Sequence, residues 1–337
     1  MRQDLSIREI AEKAGVSIAT VSRVINNPEQ VSQSMLDLVL PIIEKYDYVP
    51  NLNARNVFSR RSNAIAIFVY DMRNPFFLEI IRNLNILALE NDYMLLICDT
   101  ENDQDREREY YRYCRGARVA GIVLTEGVFS TSSSDAIFGH SEGFSKHNIK
   151  LVSIDRPAGK NIPVITSDNV KAGYDITNYL ISLNHRRIAF AGYNKQLQSI
   201  NERFKGFQTA LQDNNLQFPK EHLFAFSQLS KEAGAEAFDA LFKTSKFNPT
   251  AVVCANDEIA RGLINRANGK GFTVPEHISI TGFDGVDNSF SWSPITTMKQ
   301  QIKVMTEQVF NYIVDDQYIP MSRLEMIFTP GETTMAI

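Results

Sequence analysis

Cysteine and long apolar runs are both scarce in this sequence. The three cysteines, Cys98, Cys114 and Cys254, are far apart and odd in number, so they predict neither a disulfide framework nor a metal site. No stretch of about 18 apolar residues is present to cross a membrane. The residues after Met1 do not begin an apolar secretion signal. We therefore expect a cytosolic protein with no membrane partner and no metal or other cofactor.

Net charge is also small. The 337 residues carry a formal net charge of −4, which argues against binding to polyanions by overall attraction. Residues 1–61 hold eight Lys and Arg against seven Asp and Glu, a net charge of +1. Any contact of this segment with DNA must come from the placement of single side chains, and Arg55, Arg60 and Arg61 are its local concentration of positive charge.

Sequence signs of catalysis are weak. The sequence has no His-Glu-x-x-His motif and no Walker phosphate-binding loop. His185 has no carboxylate and nucleophile near it in the sequence with which it could form a triad. We therefore predict that the protein is not an enzyme.

Two short helices are predicted near the N-terminus. Ser6-Ile7-Arg8-Glu9 forms a capping box at the start of the first helix, and Gly15 ends it. Ser17 caps the second helix, which buries Val21 and Val24. The residues left facing outward are Ile18, Ala19, Ser22 and Arg23. Two helices joined by a tight turn that contains Gly are typical of a helix-turn-helix that reads DNA.

A third helix is predicted over Ser32–Lys45 and completes a small bundle. Pro41 falls inside this helix, where proline typically costs ~3 kcal/mol and removes a hydrogen bond to the preceding turn. We therefore expect a kink in the helix or its early end.

From Ala64 onward, strands alternate with helices. One run extends from a strand at Ile65–Tyr70 to a strand at Leu151–Ile154, and a second extends from a helix at Lys171–Leu183 to a strand at Ser279–Phe283. Two such runs predict two subdomains with parallel sheets covered by helices. Ligands bind beyond the carboxyl ends of the strands in such sheets, so the cleft between the subdomains is the expected binding site.

Short motifs along the whole chain resemble those of the LacI/GalR family of bacterial repressors. The N-terminal motifs are Gly15-Val16-Ser17, Thr20-Val21-Ser22-Arg23-Val24-Ile25-Asn26 and Tyr48-Val49-Pro50-Asn51. The later ones follow strands or begin helices, and they are Asn74–Phe77, Asp155-Arg156, His185–Ile188, Arg203–Phe207, Ala255–Asp257, Gly282–Asp284 and Pro294–Thr297. By this resemblance, Pro294–Thr297 is the return crossing to the first subdomain.

The resemblance implies the domain organisation. An all-α helix-turn-helix headpiece would cover residues 1–50, and a hinge helix with a linker would cover 51–61. An α/β sensor of two parallel-sheet, periplasmic-binding-protein-like subdomains would cover 62–337. Its N-subdomain would take about 62–163 and 293–325, and its C-subdomain about 164–292 and 326–337.

DNA contacts are also implied by the resemblance. Ile18, Ala19, Ser22 and Arg23 would face base edges in the major groove, where Arg suits guanine. In the hinge, Val57 stands where the family usually wedges a Leu into the minor groove, which predicts a shallower wedge or a weaker kink. The full predicted set is Ser6, Ser17, Ile18, Ala19, Thr20, Ser22, Arg23, Asn26, Asn51, Ala54, Arg55 and Val57.

The resemblance further implies a set of effector contacts, with Asp257 behind them. These are Phe76, Phe77, Asp155, Ser199, Arg203, Leu229, Asn256 and Asp284. Carboxylates, an amide and an Arg fork can hold the hydroxyls of a polyol. Leu229 stands where several family members stack an aromatic residue on the effector, which favours a sugar or sugar phosphate over a purine. In the alternative interpretation, Phe76 and Phe77 are simply core residues of the first helix that follows a strand. Asp155 and Asp257 then cap a helix or a loop and do not contact the ligand.

These expectations predict a ligand-responsive, sequence-specific DNA-binding repressor of genes for carbohydrate use. It would bind a palindromic operator as a homodimer, because one short recognition helix reads few bases. An amphipathic helix at Lys299–Val314 is followed by no heptads, so a tetramerising tail is not expected. The alternatives are a stand-alone small-molecule binding protein of periplasmic type and a regulator controlled by a nucleobase or a partner protein.

Overall fold

The computed structural model describes residues 5–46, 48, 62–125, 148–155, 162–244, 249–286, 294–315 and 322–337. The chain divides into two compact units, Met1–Ser62 and Asn63–Ile337. The predicted hinge segment, Asn51–Phe58, lies outside the described residues. Across the described ranges, no helix combines the length and the apolar character that a membrane span requires. All three cysteines are buried and none forms a disulfide.

Three α-helices form the described part of the first unit: α1 (Ile7–Ala14), α2 (Ile18–Asn26) and α3 (Gln33–Tyr46), with a 3₁₀ turn at Pro28–Gln30. The capping box is confirmed, because the backbone N–H of Ser6 donates to Glu9 Oε2 at 2.7 Å and the N–H of Glu9 donates to Ser6 Oγ at 3.4 Å. Gly15 ends α1 in the left-handed conformation, with a φ of 64°. The helices pack on a small core of Ile10, Ala11, Val21, Val24 and Val39.

Pro41 does not end the third helix, so the expected early end is wrong. Helix α3 continues to Tyr46, five residues beyond the proline. Its two halves share one core, because Val39 before Pro41 and Ile42 and Ile43 after it all pack against the same cluster. This packing offsets the hydrogen bond that the proline cannot donate.

The second unit contains two sheets, and each forms one lobe. Before the first passage between lobes, the chain forms β1 (Ala64–Val69), α4 (Pro75–Glu90), β2 (Met94–Asp99), α5 (Gln104–Ala117), β3 (Gly121–Leu124), β4 (Lys150–Ile154) and β5 (Val164–Ser167). It then forms α6 (Asn169–Ser182), β6 (Ile188–Tyr193), α7 (Gln198–Asp213), β7 (Leu223–Ala225), α8 (Lys231–Thr244), β8 (Ala251–Cys254), α9 (Asp257–Gly269), β9 (Ser279–Asp284) and β10 (Thr296–Lys299). The last elements are α10 (Ile302–Asp315), β11 (Ser322–Leu324) and β12 (Ile327–Thr329).

Each sheet has six strands among the residues that the structure describes. The first lobe has the strand order β11-β5-β4-β3-β1-β2 and the second has β12-β10-β9-β8-β6-β7. All neighbouring strands are parallel except β12, which runs antiparallel to β10. The predicted pair of parallel-sheet subdomains is confirmed.

The sequence of strand β1 is almost continuously apolar, because the strand packs against helices on both of its faces. Ile65, Ile67 and Val69 pack into the cluster that includes α4 and α10, whereas Ala66 and Phe68 pack into the cluster that includes α5. Successive side chains of a strand point to opposite faces, and here helices cover both faces. The strand is therefore buried on both sides, and its carboxyl end is the part that remains available for a site.

The chain passes between the lobes later than predicted. Thr296–Lys299 is a strand of the second sheet that pairs with β9, so Pro294–Thr297 is not the return crossing. The passage follows Lys299, and α10 then packs against α4 in the first lobe. At the other passage, β5 at Val164–Ser167 still belongs to the first sheet, beyond residue 163 where the first subdomain was predicted to end. Strands β11 and β12 form a third passage, from the first sheet to the second.

Candidate functional site

Helix α2 presents an exposed polar and small-residue face away from its core. Ser17 caps the helix, and its Oγ accepts the N–H of Thr20 at 3.1 Å. Val21 and Val24 are fully buried, which turns Ile18, Ala19 and Arg23 outward, with Ile18 44% exposed. Ser22, predicted to face outward, is half-buried. An exposed face with one Arg and two small apolar contacts matches what a base-reading helix offers to a major groove.

Hydroxyl groups lie at the N-terminal ends of helices α1 and α2. Ser6 Oγ donates to Glu9 Oε2 at 2.8 Å, and the hydroxyls of Ser17 and Thr20 lie 2.9 Å apart. Helix N-termini can bind phosphate groups through their backbone N–H groups, so these positions suit backbone contacts on DNA. Of the other residues predicted to bind DNA, Asn51, Ala54, Arg55 and Val57, and the side chain of Asn26, lie outside the described part of the chain.

In the second unit, a cleft lies where residues of both lobes meet. All eight residues predicted to contact an effector line this cleft, namely Phe76, Phe77, Asp155, Ser199, Arg203, Leu229, Asn256 and Asp284. Asp155 follows β4, Asn256 follows β8, and Asp284 is the last residue of β9. The strand-end rule for parallel sheets therefore brings these three together.

Eight lining residues were missed by the sequence reasoning. These are Tyr70, Asp71, Asn74, Thr125, Ile154, Leu197, Ile200 and Gln300. Tyr70 and Asp71 follow β1 and Thr125 follows β3, so the same strand-end rule could have identified them. Gln300 follows β10, a strand that the sequence reasoning did not predict, so nothing in the sequence pattern marked this residue.

Arg203 lies on the floor of the cleft and is only 3% exposed. Its Nε donates to Asn169 Oδ1 at 2.9 Å, and its Nη1 donates to the carbonyl of Ala255 at 2.6 Å. Its Nη2 lies 3.5 Å from Asp284 Oδ1, and its guanidinium carbon is 4.7 Å from the centre of the Phe283 ring. A planar guanidinium with this many fixed partners is a rigid group rather than a mobile surface charge.

A chain of hydrogen bonds connects Asp284 to Asp155. Nε2 of Gln300 donates to Asp284 Oδ1 at 2.8 Å, and the hydroxyl of Ser167 donates to Gln300 Oε1 at 2.8 Å. The N–H of Ser167 and the hydroxyl of Thr166 both donate to Asp155 Oδ1, at 3.1 and 2.7 Å. Two carboxylates from different lobes are thereby held in one network at the base of the cleft.

The backbone is unusual at both of these carboxylates. Asp155 has a φ of 54° and Asp284 a φ of 104°, conformations that non-glycine residues rarely adopt. Such conformations persist only where the surrounding structure fixes them, and they are concentrated at functional sites. The cleft is therefore a site in which backbone strain is retained to aim two carboxylates.

Burial raises the pKa values of the carboxyl groups around Arg203. It raises the pKa of Asp284 to about 6, although the guanidinium of Arg203 and the hydrogen bond from Gln300 act in the opposite direction. Burial also raises the pKa of Asp155, against the hydrogen bond from Thr166. The protonation of both carboxyl groups is therefore set by their burial and by the partners that the cleft provides.

Asp257 lies behind the cleft and is not part of its lining. Its Oδ1 accepts the hydroxyl of Thr297 at 2.8 Å, and its Oδ2 accepts the N–H of Gly285 at 2.9 Å. Burial, followed by the charge of Asp284, raises its pKa to about 7. Asp257 thus ties the end of β9 to β10 and holds Asp284 in position.

Apolar and aromatic side chains form the remaining walls. Phe76 and Phe77 are nearly buried at the start of α4, in edge-to-face contact with ring centres 5.3 Å apart. They line the cleft and belong to the core of the first lobe at the same time. The hydroxyl of Tyr70 donates to the carbonyl of Ser227 at 3.3 Å, a contact that joins the two lobes.

Asn256 and Leu229 belong to one contact on the second-lobe side. Asn256 caps α9, because its Oδ1 accepts the N–H of Ile259 at 2.9 Å. Its Nδ2 lies 3.3 Å from the carbonyl of Leu229, to which it donates. Asn256 therefore has a structural role as well as a face in the cleft, and Leu229 supplies an apolar wall instead of a flat aromatic ring.

Three features bear on catalysis and metal binding. His185 is buried against the hydroxyls of Thr250 and Ser279 and the carbonyl of Met335, so it anchors the C-terminal segment and does not line the cleft. Within the described ranges, no group of three or more His, Cys, Asp or Glu is placed to hold a metal ion. The sequence also contains Gly139-His-Ser-Glu-Gly143, which fits a Gly-x-Ser-x-Gly pattern but lies outside the described residues.

Comparison with known protein families matches both units of the chain to the same family. Residues 62–317 match the model for periplasmic binding proteins and the sugar binding domain of the LacI family. Residues 6–51 match the model for bacterial regulatory proteins of the lacI family. The first match alone covers more than half of the chain.

Similar individual proteins are transcriptional regulators. The regulator DegA of Bacillus subtilis is 32% identical over 301 residues, which cover 89% of this chain and 88% of DegA. The repressor CytR of Escherichia coli K12 is 30% identical over 297 residues, which cover 88% of this chain and 84% of CytR. The solved lac repressor dimer bound to operator has the same fold, with a TM-score of 0.82 at 22% identity over 99% of this chain and 100% of that chain. The resemblance read from the motifs is confirmed, and the chain belongs to the lacI family of bacterial regulatory proteins.

Proposed function

We propose that this protein is a transcriptional repressor that binds a palindromic operator as a homodimer and responds to a sugar in the cleft. The observation that carries the proposal is the presence in one chain of an exposed reading helix and of a cleft lined by all eight predicted effector residues. Neither an enzyme nor a stand-alone binding protein would need an exposed reading helix. The protein is placed in the cytoplasm because its proposed partner is chromosomal DNA.

The exposed face of α2 supports the DNA-binding part of the proposal. Arg23 can form a bidentate contact with guanine, and Ile18 and Ala19 can pack against thymine methyl groups. Ser6, Ser17 and Thr20 at the helix starts would contact phosphate. We assign the headpiece to residues 1–50 and the hinge with its linker to 51–61, where Asn51, Ala54, Arg55 and Val57 would complete the contact.

The lining of the cleft supports a sugar as the effector. Asp155, Asp284 and Asn256 can exchange hydrogen bonds with adjacent hydroxyls, and Phe76 and Phe77 can cover an apolar face of the ring. Leu229, in place of a flat aromatic ring, offers no stacking partner to a purine. Genes of carbohydrate use are the matching targets for such a sensor, and a nucleobase remains the alternative ligand for the test below.

An exposed apolar surface supports the homodimer. It lies on helix α4 and on β2, the strand at the edge of the first sheet, and consists of Leu78, Ile86, Leu89, Met94, Leu96 and Ile97, which are 36–75% exposed. Concentrated apolar exposure of this kind marks an interaction surface, and an uncovered edge strand invites pairing. A second copy is the fitting partner, because a two-fold pair of reading helices doubles the length of the DNA site.

In the sensor, the sequence predicts an N-subdomain of about 62–163 and 293–325 and a C-subdomain of about 164–292 and 326–337. The strand assignments move the working borders to residue 167 and residue 299, where the sheets change. A ligand held by residues of both lobes would bind the closed arrangement more tightly than the open one. That difference in affinity is what ligand control of DNA binding requires.

The test has two stages. The full chain is first used to select binding sequences from a random DNA library, and the proposal expects a palindrome that binds with an affinity lost at high salt. Sugars, sugar phosphates and nucleobases are then screened for thermal stabilisation and for an effect on operator binding. Ligand binding without any selected DNA would favour the stand-alone binding protein. Selected DNA without a small-molecule effect would favour control by a partner protein.

A further inference from the structure

The three passages of the chain between the lobes lie at the same end of the two sheets. Strands β5 and β11, which adjoin the passages, form one end of the first sheet, and β10 and β12 form one end of the second. Strands β1 and β7 lie toward the opposite ends. The loops that follow β1 and β7 therefore meet the cleft on its side away from the passages, where noncovalent contacts hold the lobes together.

A hydrogen bond crosses the cleft on this side. The hydroxyl of Tyr70, the first residue after β1, donates at 3.3 Å to the carbonyl of Ser227, two residues after β7. We call this bond the rim contact. The bond between Ser167 and Gln300 also joins the lobes, but it lies at the passages themselves. A small rotation of the lobes about the passages therefore lengthens the rim contact more than it lengthens the bond at the passages.

The acceptor of the rim contact is held in place by its own lobe. The carbonyl of Ser227 also accepts Nδ2 of Asn194 at 3.2 Å, and a carbonyl oxygen has two lone pairs for two donors. Asn194 is only 5% exposed, and its Oδ1 accepts the N–H of Gln196 at 3.0 Å. The N–H of Phe226 donates to the carbonyl of Tyr193 at 3.0 Å. The second lobe thus fixes the carbonyl to which the first lobe donates.

Both partners of the rim contact adjoin residues that line the cleft. The ring centre of Tyr70 is 6.4 Å from that of Phe77, and both residues belong to the lining. On the other side, Leu229 lies two residues after Ser227, lines the cleft and accepts Nδ2 of Asn256 at its carbonyl. A molecule that fills the cleft is therefore next to the rim contact on both lobes.

We propose that Tyr70 is a positioning residue that sets how far the lobes close, through its hydrogen bond to Ser227 at the side of the cleft away from the passages. This inference rests on the proposed sensor function, because ligand control requires two lobe arrangements that differ in affinity for the ligand. The net contribution of one hydrogen bond changes the equilibrium between two such arrangements by about 2- to 10-fold. The Tyr70 hydroxyl favours the closed arrangement by this factor.

The experiment is hydrogen–deuterium exchange with mass spectrometry on the full chain with no small molecule added. Tyr70→Phe keeps the ring that packs beside Phe77 and removes only the hydroxyl. We expect exchange about 2- to 10-fold faster in the variant over two segments that line opposite sides of the cleft, Asn74–Phe77 and Leu197–Ile200. The hydroxyl donates to neither segment, so a change in both reports separation of the lobes.

Tyr113→Phe is the matched control. It removes a hydroxyl that donates to Glu109 at 3.2 Å on the exposed face of α5, and it should leave exchange in both segments unchanged. Asn194→Asp is a second test, because a carboxylate cannot donate to the Ser227 carbonyl but can still accept the N–H of Gln196. It should also raise exchange in both segments. Combined with Tyr70→Phe, it should raise exchange by less than the product of the two single effects, because both donors act on one carbonyl.

Two results overturn the inference: exchange in Tyr70→Phe that rises only around Ser227 or nowhere, and an equal rise in Tyr113→Phe. The first would mean that the rim contact is local and does not govern the lobes. Operator selection is carried out on the same wild-type preparation. A wild-type chain that selects no DNA contradicts the proposed function, whereas unchanged exchange in a chain that selects its operator contradicts this inference alone.

Discussion

The hydroxyl of Ser167 donates a 2.8 Å hydrogen bond to Oε1 of Gln300, and this bond joins two passages of the chain between the lobes. Ser167 is the last residue of β5 before α6, and Gln300 lies between β10 and α10. The same Gln300 donates through Nε2 to Asp284 in the cleft. A ligand that contacts Asp284 therefore acts on the network that connects the two lobes.

Replacement of Gln300 by Ala should uncouple the cleft from the passages. It would leave the hydroxyl of Ser167 without its acceptor, and Oδ1 of Asp284 would keep only the 3.5 Å contact with Nη2 of Arg203, in buried surroundings. We expect a loss of about 1–3 kcal/mol in the free energy of unfolding, measured by urea denaturation. The change in operator affinity on addition of ligand should shrink, measured by fluorescence anisotropy. Gln212→Ala, at an exposed position, is the control, and a Gln300→Ala protein that behaves like it would contradict the role of this bond.

The stability of the sensor should fall as the pH rises from about 4 to 7 on account of its buried carboxyl groups. Burial raises the pKa of Asp257 to about 7 and that of Asp284 to about 6. In this range the folded state binds more protons than the unfolded chain, so deprotonation favours unfolding. The groups that face these carboxyls are Arg203, Arg261 and Asp155.

Asp257→Asn isolates one part of this pH dependence. The variant removes the titrating group, so the slope of unfolding free energy against pH should be smaller between pH 5 and 7 than in the wild type, measured by urea denaturation at several pH values. Asp175→Asn, at a half-exposed carboxylate paired with Lys171, should leave the slope unchanged. An unaltered slope in Asp257→Asn would mean that Asp257 is ionised throughout this range.

Arg23→Ala should reduce the sequence specificity of DNA binding. Arg23 is exposed on the reading face of α2, and a bidentate contact between Arg and guanine typically contributes about 1–3 kcal/mol of discrimination. The selected operator should therefore bind about 10- to 100-fold more weakly at fixed salt. Arg112→Ala, at an exposed position of the sensor, is the control. An equal loss on random DNA would indicate a phosphate contact instead of base reading.

Leu89→Asp should weaken the homodimer. Leu89 is 75% exposed on α4 and is the most exposed residue of the apolar surface proposed for the second copy. A carboxylate there would have to be desolvated at the interface, so the sedimentation coefficient at micromolar concentration should change to that of a monomer. Leu38→Asp, at another exposed leucine in the headpiece, is the control that shows whether a carboxylate at any exposed leucine weakens the dimer. A Leu89→Asp protein that remains dimeric would place the interface elsewhere.

Local signals in the sequence predicted much of this structure. Ser6, Ser17 and Gly15 mark helix ends through chemistry within one turn of chain, and the structure has them in those roles. Asp155, Asp284 and Arg203 were all predicted from the family resemblance. The strand pattern predicted only the place of the site, because the carboxyl ends of parallel strands converge, which is a property of the sheet and not of any one residue.

The features that were missed depend on distant contacts. Strand β10 is short and has the sequence Thr-Thr-Met-Lys, without a clear apolar pattern. It is held in the second sheet by pairing with β9 and by the bond from Thr297 to Asp257, 40 residues apart. The start of α7 at Gln198 has no signal in the sequence either, because no side chain caps it. Contacts between residues that are far apart in the sequence leave no local pattern from which these elements could be predicted.

Gly206, in the motif that begins at Arg203, lies where helices α6 and α7 are too close together to leave room for a side chain. A Cβ at Gly206 would collide with the backbone carbonyl of Val170 on α6, and a Cβ at Gly173 would collide with the carbonyl of Arg203 on α7. The two helices thus approach at the level of their backbones. This approach brings Arg203 on α7 within 2.9 Å of Asn169 at the start of α6.

Gly206→Ala should therefore separate α6 from α7 and move Arg203 away from the cleft. The expected loss in unfolding free energy is at least about 1–3 kcal/mol, because backbone cannot give way as a flexible side chain can. Sugar binding by calorimetry should be lost even below the unfolding transition. Gly116→Ala in α5 is the matched control, since a Cβ there meets nothing within 4 Å. It should be stabilised by about 0.5–1 kcal/mol, so two glycine-to-alanine changes in helices of one protein should have opposite signs. Equal effects would mean that the close approach of α6 and α7 does not position Arg203.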